Sequence, residues 1–440
     1  MKRTRPERRP ARIRRNASRA LWAAVLWQVG ACAGTAGRAR PGPSPAARAA
    51  APSAQAPRDG RAREQSSEQT IDVEPMRIRV ERDASGRAEV VAYDARELFD
   101  QAVAAQRGEE HALALELYRR LVEEFPGSAL VSPALYNTGL ALEATGDRAG
   151  AIARYQELAR RFSGTRDALD AQLRAAAVMA ELGRFGDALA LIDSLLASRE
   201  VAGADRIELL ARRGHMLVET RSYPDAEKAL RAAIDLAGRL PRAERSAGTD
   251  HHRAMASYYL AEIPRRQAAA QALRLPDEQL RADLEAKARL ILLAQERYQA
   301  TIDLGDLHWA TASGFQMASM QEDMWRSLVS APVPPQLSDE EARVYIDEVR
   351  ALARGHLERA VEVHAQTVSI ADRLGAPTPW SEASRVRIAA LSDALAREAA
   401  GQGSPTGAPG AGALPGGPSP GGLVPSGTDP DRYVPGRVEL

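Results

Sequence analysis

The sequence predicts an all-α protein: a solenoid of helix pairs over residues 95–238, a helical block over 251–399, and disordered segments at both ends. Three observations carry that expectation. Apolar residues recur at helical spacing from Ala95 to about Ala399. An internal repeat of 37–38 residues runs through the first half of that stretch. The flanks are Gly, Pro, Ala and Ser with few large apolar side chains, so they bury too little surface to offset the entropy of ordering.

The first 31 residues read as a secretory signal. Nine basic residues (Lys2, Arg3, Arg5, Arg8, Arg9, Arg12, Arg14, Arg15, Arg19) and one acid, Glu7, precede the short apolar run Leu21–Ala31. That run is too short to span a bilayer, which takes roughly 20 apolar residues. It ends at Cys32, the only cysteine of the 440-residue chain. Val29-Gly30-Ala31-Cys32 resembles the lipobox of bacterial lipoproteins, which implies lipidation of the Cys32 thiol. Ala33 stands where aspartate marks inner-membrane retention in enteric lipoproteins, so the resemblance implies the outer membrane, with the protein facing the periplasm. The other reading of the leader is an ordinary cleaved signal, or an uncleaved anchor, with an incidental thiol.

Composition excludes several classes. The whole chain carries +1; less the +8 of residues 1–31, the remainder carries −7. With no basic stripe, nucleic acid is not an expected partner. One cysteine permits neither an intrachain disulfide nor a cysteine-based zinc site. Residues 32–70 read as a disordered tether. Residues 71–94 alternate in polarity about a turn at Asp83–Gly86 and predict a β-hairpin, a unit that is marginal by itself. Residues 400–440 form a Gly/Pro-rich tail.

The repeats align from Ala95, Ser132, Leu169 and Ile207. Small residues recur at repeat position 8 (Ala102, Gly139, Ala176, Gly214) and at position 20 (Ala114, Ala151, Ala188, Ala226). Large ones recur at position 24 (Tyr118, Tyr155, Ile192, Leu230). Positions 8 and 20 are expected where paired helices approach most closely, and position 24 is expected to fill the gap toward the next repeat. Glycines Gly146 and Gly183 should end the first helices of their pairs. This pattern resembles the tetratricopeptide repeat, although the family's tryptophan at position 4 is replaced by Leu98, Leu135, Gln172 and Leu210. The longer period is similar to that of bacterial outer-membrane repeat lipoproteins, and the second block resembles the C-terminal half of myxobacterial repeat proteins, some of them linked to adventurous gliding.

The resemblance implies a non-enzymatic scaffold that binds envelope proteins or peptides along the concave face. The residues it places there include Phe99, Tyr136, Leu140, Glu143, Glu181, His215 and Glu219. Their apolar and acidic character suits a partner with basic and apolar side chains. The alternative is that they pack against neighbouring repeats or lie under residues 71–93.

No phosphate-binding loop, nucleophile elbow or zinc-protease helix occurs, so neither cofactor, metal nor small-molecule substrate is expected. His251 and His252 read as solvated residues opening a helix after Asp250, following a polar linker at 239–250. The carboxylate pairs Glu109-Glu110, Glu123-Glu124 and Glu340-Glu341 read as solvated helix-face or first-turn charges. The Met and Trp residues of 309–325 have core spacing. Ser338 with Glu341 makes a capping box. Two rival readings remain: an enzymatic or ligand site around His308, Trp309 and Met317, and a cytoplasmic adaptor whose basic N-terminus misleads.

Overall fold

Thirteen α-helices and one β-hairpin make up the described part of the chain, residues 76–82, 88–198 and 201–399 of a computed structural model. The leader, Cys32, the tether, the hairpin turn at 83–86 and the tail 400–440 lie outside the described residues.

Strands β1 (Arg77–Arg82) and β2 (Ala88–Tyr93) pair antiparallel, with Ile78 opposite Ala92 and Val80 opposite Val90. Helices follow as α1 (Ala95–Arg107), α2 (His111–Glu124), α3 (Val131–Ala144), α4 (Arg148–Arg161), α5 (Arg166–Glu181), α6 (Phe185–Ala197), α7 (Gly203–Glu219) and α8 (Tyr223–Arg239). These eight form four antiparallel pairs. Local chemistry sets their ends. Asp94, Asp147 and Thr165 accept from the backbone N–H three residues on, satisfying helix donors that have no partner within the helix. Gly146 and Gly183 stop α3 and α5 at φ of +85° and +71°, a conformation glycine adopts without steric cost.

Within each pair, position 24 lies across position 8 of the same repeat. A β-carbon on Gly139 would stand 2.3 Å from the Tyr155 ring, and one on Gly214 would stand 2.3 Å from Leu230. The large residue at position 24 therefore seats on its own first helix rather than filling the gap to the next repeat. The first helix presents one face to its partner, and a glycine or alanine there lets the facing side chain seat on the backbone.

The second block is α9 (Ala247–Ala270), α10 (Asp277–Asp303), α11 (Leu307–Val329), α12 (Asp339–Arg373) and α13 (Pro379–Ala399). Between α8 and α9 the expected polar linker is short: it holds a 3₁₀ turn at Arg242–Glu244, and α9 begins at Ala247 under a Ser246/Thr249 capping box. The Ser338/Glu341 capping box opens α12. One hydrophobic cluster runs from Ala211 and Leu217 on α7 through Leu230 on α8, Tyr258 and Tyr259 on α9 and Tyr298 on α10 to Trp309 on α11 and Trp380 on α13. The block is thus continuous with the repeats through a shared core. Trp309, Met320, Met324 and Trp325 are buried, so this stripe is core.

Candidate functional site

Successive first helices lie side by side and are joined through their polar side chains. Ser132 on α3 donates to Asp167 on α5 at 2.6 Å, and Arg166 on α5 pairs with Asp205 on α7 at 2.6 Å. Arg174 on α5 grips Glu143 on α3 with two bonds of 2.8 Å. Arg266 on α9 grips Glu219 on α7 at 3.0 and 2.6 Å. These links bring the first helices together along one face of the array, the face expected to take a partner.

The seven residues expected there fall into three groups. Phe99, Tyr136 and His215 are buried: Phe99 meets Tyr118 edge-on, Tyr136 tilts against Tyr155, and His215 stacks on Tyr259 at 4.1 Å between ring centres. Glu143 and Glu219 hold their arginines, and Glu143 also accepts from the Tyr155 hydroxyl at 2.6 Å. Leu140 is half-buried, and Glu181 at the end of α5 pairs with Arg148 at the start of α4 at 3.3 Å. Packing and pairing therefore occupy most of this set, and Leu140 with Glu181 is the part nearest solvent. The hairpin covers a different place, the C-terminal end of α2. There Arg77 donates to the Glu124 carbonyl at 2.9 Å, and the Tyr93 ring meets Phe125 edge-on. Glu124 is consequently not a free surface charge: its carboxylate also takes Tyr93 and Arg120.

Electrostatics explain why acids tolerate this burial. Burial works to raise the Glu219 carboxyl, but hydrogen bonds from His215 and Arg266 and the Arg266 charge outweigh it and hold it at about 2. Glu262, fully buried on α9, is likewise held at about 2 against its burial by Arg265, Arg266 and the Tyr298 hydroxyl. This Glu219–Arg266–Glu262–Arg265 chain fastens the last repeat to the second block. The sequence reading missed it. The readable signal was an acid inside the apolar run Ala254–Ile263 with arginines three and four residues on; its link to Glu219 depends on tertiary packing.

The second block holds further polar residues inside. His364, with no exposure, lies 3.1 Å from Glu322, which also pairs with Arg387. His356 meets Gln321 at 2.8 Å. Burial lowers His308, His356 and His364 to about 4, so all three are neutral at pH 7. His251 and His252 are not solvated caps. His251 donates to Asp306 at 2.8 Å and accepts from the Trp309 indole at 3.3 Å, while His252 sits 3.6 Å from Glu208. Trp309 is fully buried and Met317 packs half-buried against the same core, so the region around His308 is filled. Among the described residues no group of three or more His, Cys, Asp or Glu side chains is arranged to hold a metal, and no helix is long and apolar enough to cross a membrane.

The tetratricopeptide repeat family matches residues 98–128 and 133–165, the first two helix pairs with the turns that follow them. Residues 98–165 therefore match two tetratricopeptide repeats, a repeat type that generally binds protein partners. No curated protein matches it. Solved structures similar to it include a tetratricopeptide repeat protein from Parabacteroides merdae (15% identity, 68% of this chain and 98% of that one, TM-score 0.32). The apo form of RapI (11%, 70% and 99%, TM-score 0.39) and yeast Tom70 (11%, 69% and 69%, TM-score 0.22) are also similar.

Proposed function

We propose that this chain is a non-enzymatic scaffold that binds envelope proteins through its repeats and is held by a lipid on Cys32 at the outer membrane, facing the periplasm. The observation that carries the binding reading is the face made by α3, α5 and α7, fixed by lateral polar links into a preformed surface. Preformation lowers the ordering cost of binding an extended segment. The packed core around His308 and Trp309 supports a scaffold over an enzyme.

The address rests on the sequence before residue 33: basic leader, short apolar run, small residues, then a lone cysteine. A single acyl chain gives marginal membrane affinity, whereas the two or three of a mature lipoprotein hold firmly. Envelope assembly or a gliding-type machine is the setting that the sequence resemblances favour.

Metabolic labelling with a palmitate analogue tests the address. Wild-type chain should label and fractionate with membranes, and Cys32→Ala should do neither. Equal labelling and membrane association of the two would exclude the anchor and leave the scaffold reading without a location.

A further inference from the structure

A cleft of about 340 Å³ opens on the other side of the array, between the second and third repeats. Gln156, Ala159 and Arg160 of α4, Gln172 and Ala175 of α5, and Leu191 of α6 line it. Its origin is legible in the repeat. Position 4 carries buried Leu135 in the second repeat and partly buried Leu210 in the fourth, but Gln172 in the third. Position 28 carries partly buried Val122 and Leu196 in the first and third repeats, but Ala159 in the second. Two apolar side chains that would close this junction are thus replaced, one by an amide and one by a methyl.

The charge at the cleft is as distinctive as its shape. The neighbouring arginines are engaged: Arg154 and Arg161 with Glu157, Arg166 with Asp205, Arg174 with Glu143. At the next junction Arg213 of α7 reaches Asp193 of α6 at 2.7 Å. Arg160 is exposed and has no hydrogen-bond or ion-pair partner among the described residues, and neither do the amides of Gln156 and Gln172. A guanidinium with two amides, above a floor of Ala159, Ala175 and Leu191, suits a carboxylate next to an aliphatic side chain.

We propose that this cleft is a second docking site, which takes a partner-protein segment bearing an acidic residue beside a leucine-sized aliphatic one. The aliphatic group packs over Ala159, where the first and third repeats carry Val122 and Leu196, and the carboxylate takes the fork of Arg160. The site lies apart from the face of the first helices, so the two are separable by mutation.

An array of all two-residue combinations in a Gly-Ser frame, probed with the purified full chain, tests this. Pairs of Asp or Glu with Leu, Ile or Met should be enriched. Arg160→Glu should lower their signal about tenfold. Gln172→Leu, which restores the leucine of the other repeats, should do the same while leaving the unfolding midpoint unchanged or higher. Absence of acidic-aliphatic enrichment, or its survival in both variants, would overturn the proposal. Equal competition by free N-acetylleucine would assign the cleft to small carboxylates and overturn it too.

Discussion

Arg266 donates two hydrogen bonds to Glu219 while its Nε reaches Glu262, so one guanidinium joins the first helix of the last repeat, α7, to the first helix of the second block, α9. Arg266→Leu would leave two carboxylates in the interior short of their counter-charge. Breaking one side of a buried pair costs about 3–5 kcal/mol. Arg266→Leu should therefore lower stability by about 3 kcal/mol in urea unfolding. Arg148→Leu, whose pair with Glu181 is a single, partly exposed contact, should change it by no more than about 1 kcal/mol.

Gly139→Ala tests the seating of position 24 on position 8. The new methyl would strike the Tyr155 ring, which is rigid, fully buried and held by Glu143. Overpacking of this kind costs about 1–3 kcal/mol. Gly214→Ala meets the end of the Leu230 side chain, which can turn aside, and should cost less. Urea midpoints at constant m-value would rank the two; a neutral Gly139→Ala would refute the assigned contact.

The internal histidines give the protein an acid limb. Burial lowers His356 from the usual 6.5 to about 4, and its Nδ1 donates to the Gln321 amide oxygen. A depressed histidine binds fewer protons folded than unfolded, so its contribution is complete above pH 6.5 and is lost as pH falls from 6.5 to 4. The loss reaches about 3 kcal/mol at the lower end. His356→Gln should flatten stability against pH across that window. Glu219 and Glu262, held at about 2, contribute stability that is lost only as pH falls below about 4.5, so the histidine effect can be read separately. Parallel curves for wild type and His356→Gln between pH 4 and 6.5 would rule it out.

Tyr93 anchors the hairpin to α2 through Glu124 and Phe125, with Arg120 over its ring at 5.0 Å. Tyr93→Ala should speed amide hydrogen exchange in β1 and β2 while α1 and α2 keep their protection. Unchanged exchange in the strands would mean that the hairpin holds by other contacts.

The all-α class, the four helix pairs and the glycine stops were legible because they are local or periodic signals. Gly146 needs only its own backbone conformation, and Tyr155 recurs in register with Tyr118. Roles that depend on a distant partner were not legible. Tyr155 sits on its own repeat, and Glu219 meets an arginine 47 residues away. His251 reads as a surface residue until Asp306 and Trp309 are brought to it. The expected binding face suffered most from this: its aromatic residues pack inward and all three of its acids pair with arginines. Gln172 stood out in the sequence as a departure from leucine at position 4, but only the structure gives that departure a cleft.

The face made by the first helices should contact another protein. Photo-crosslinking amino acids placed singly at Leu140 and Glu181, the two face residues nearest solvent, test it in the native cell with little disturbance of the core. A discrete crosslinked species containing a second protein is expected from both positions, and none from a control at exposed Leu374 on the second block. Crosslinks from Leu374 alone, or none from Leu140 and Glu181, would contradict it.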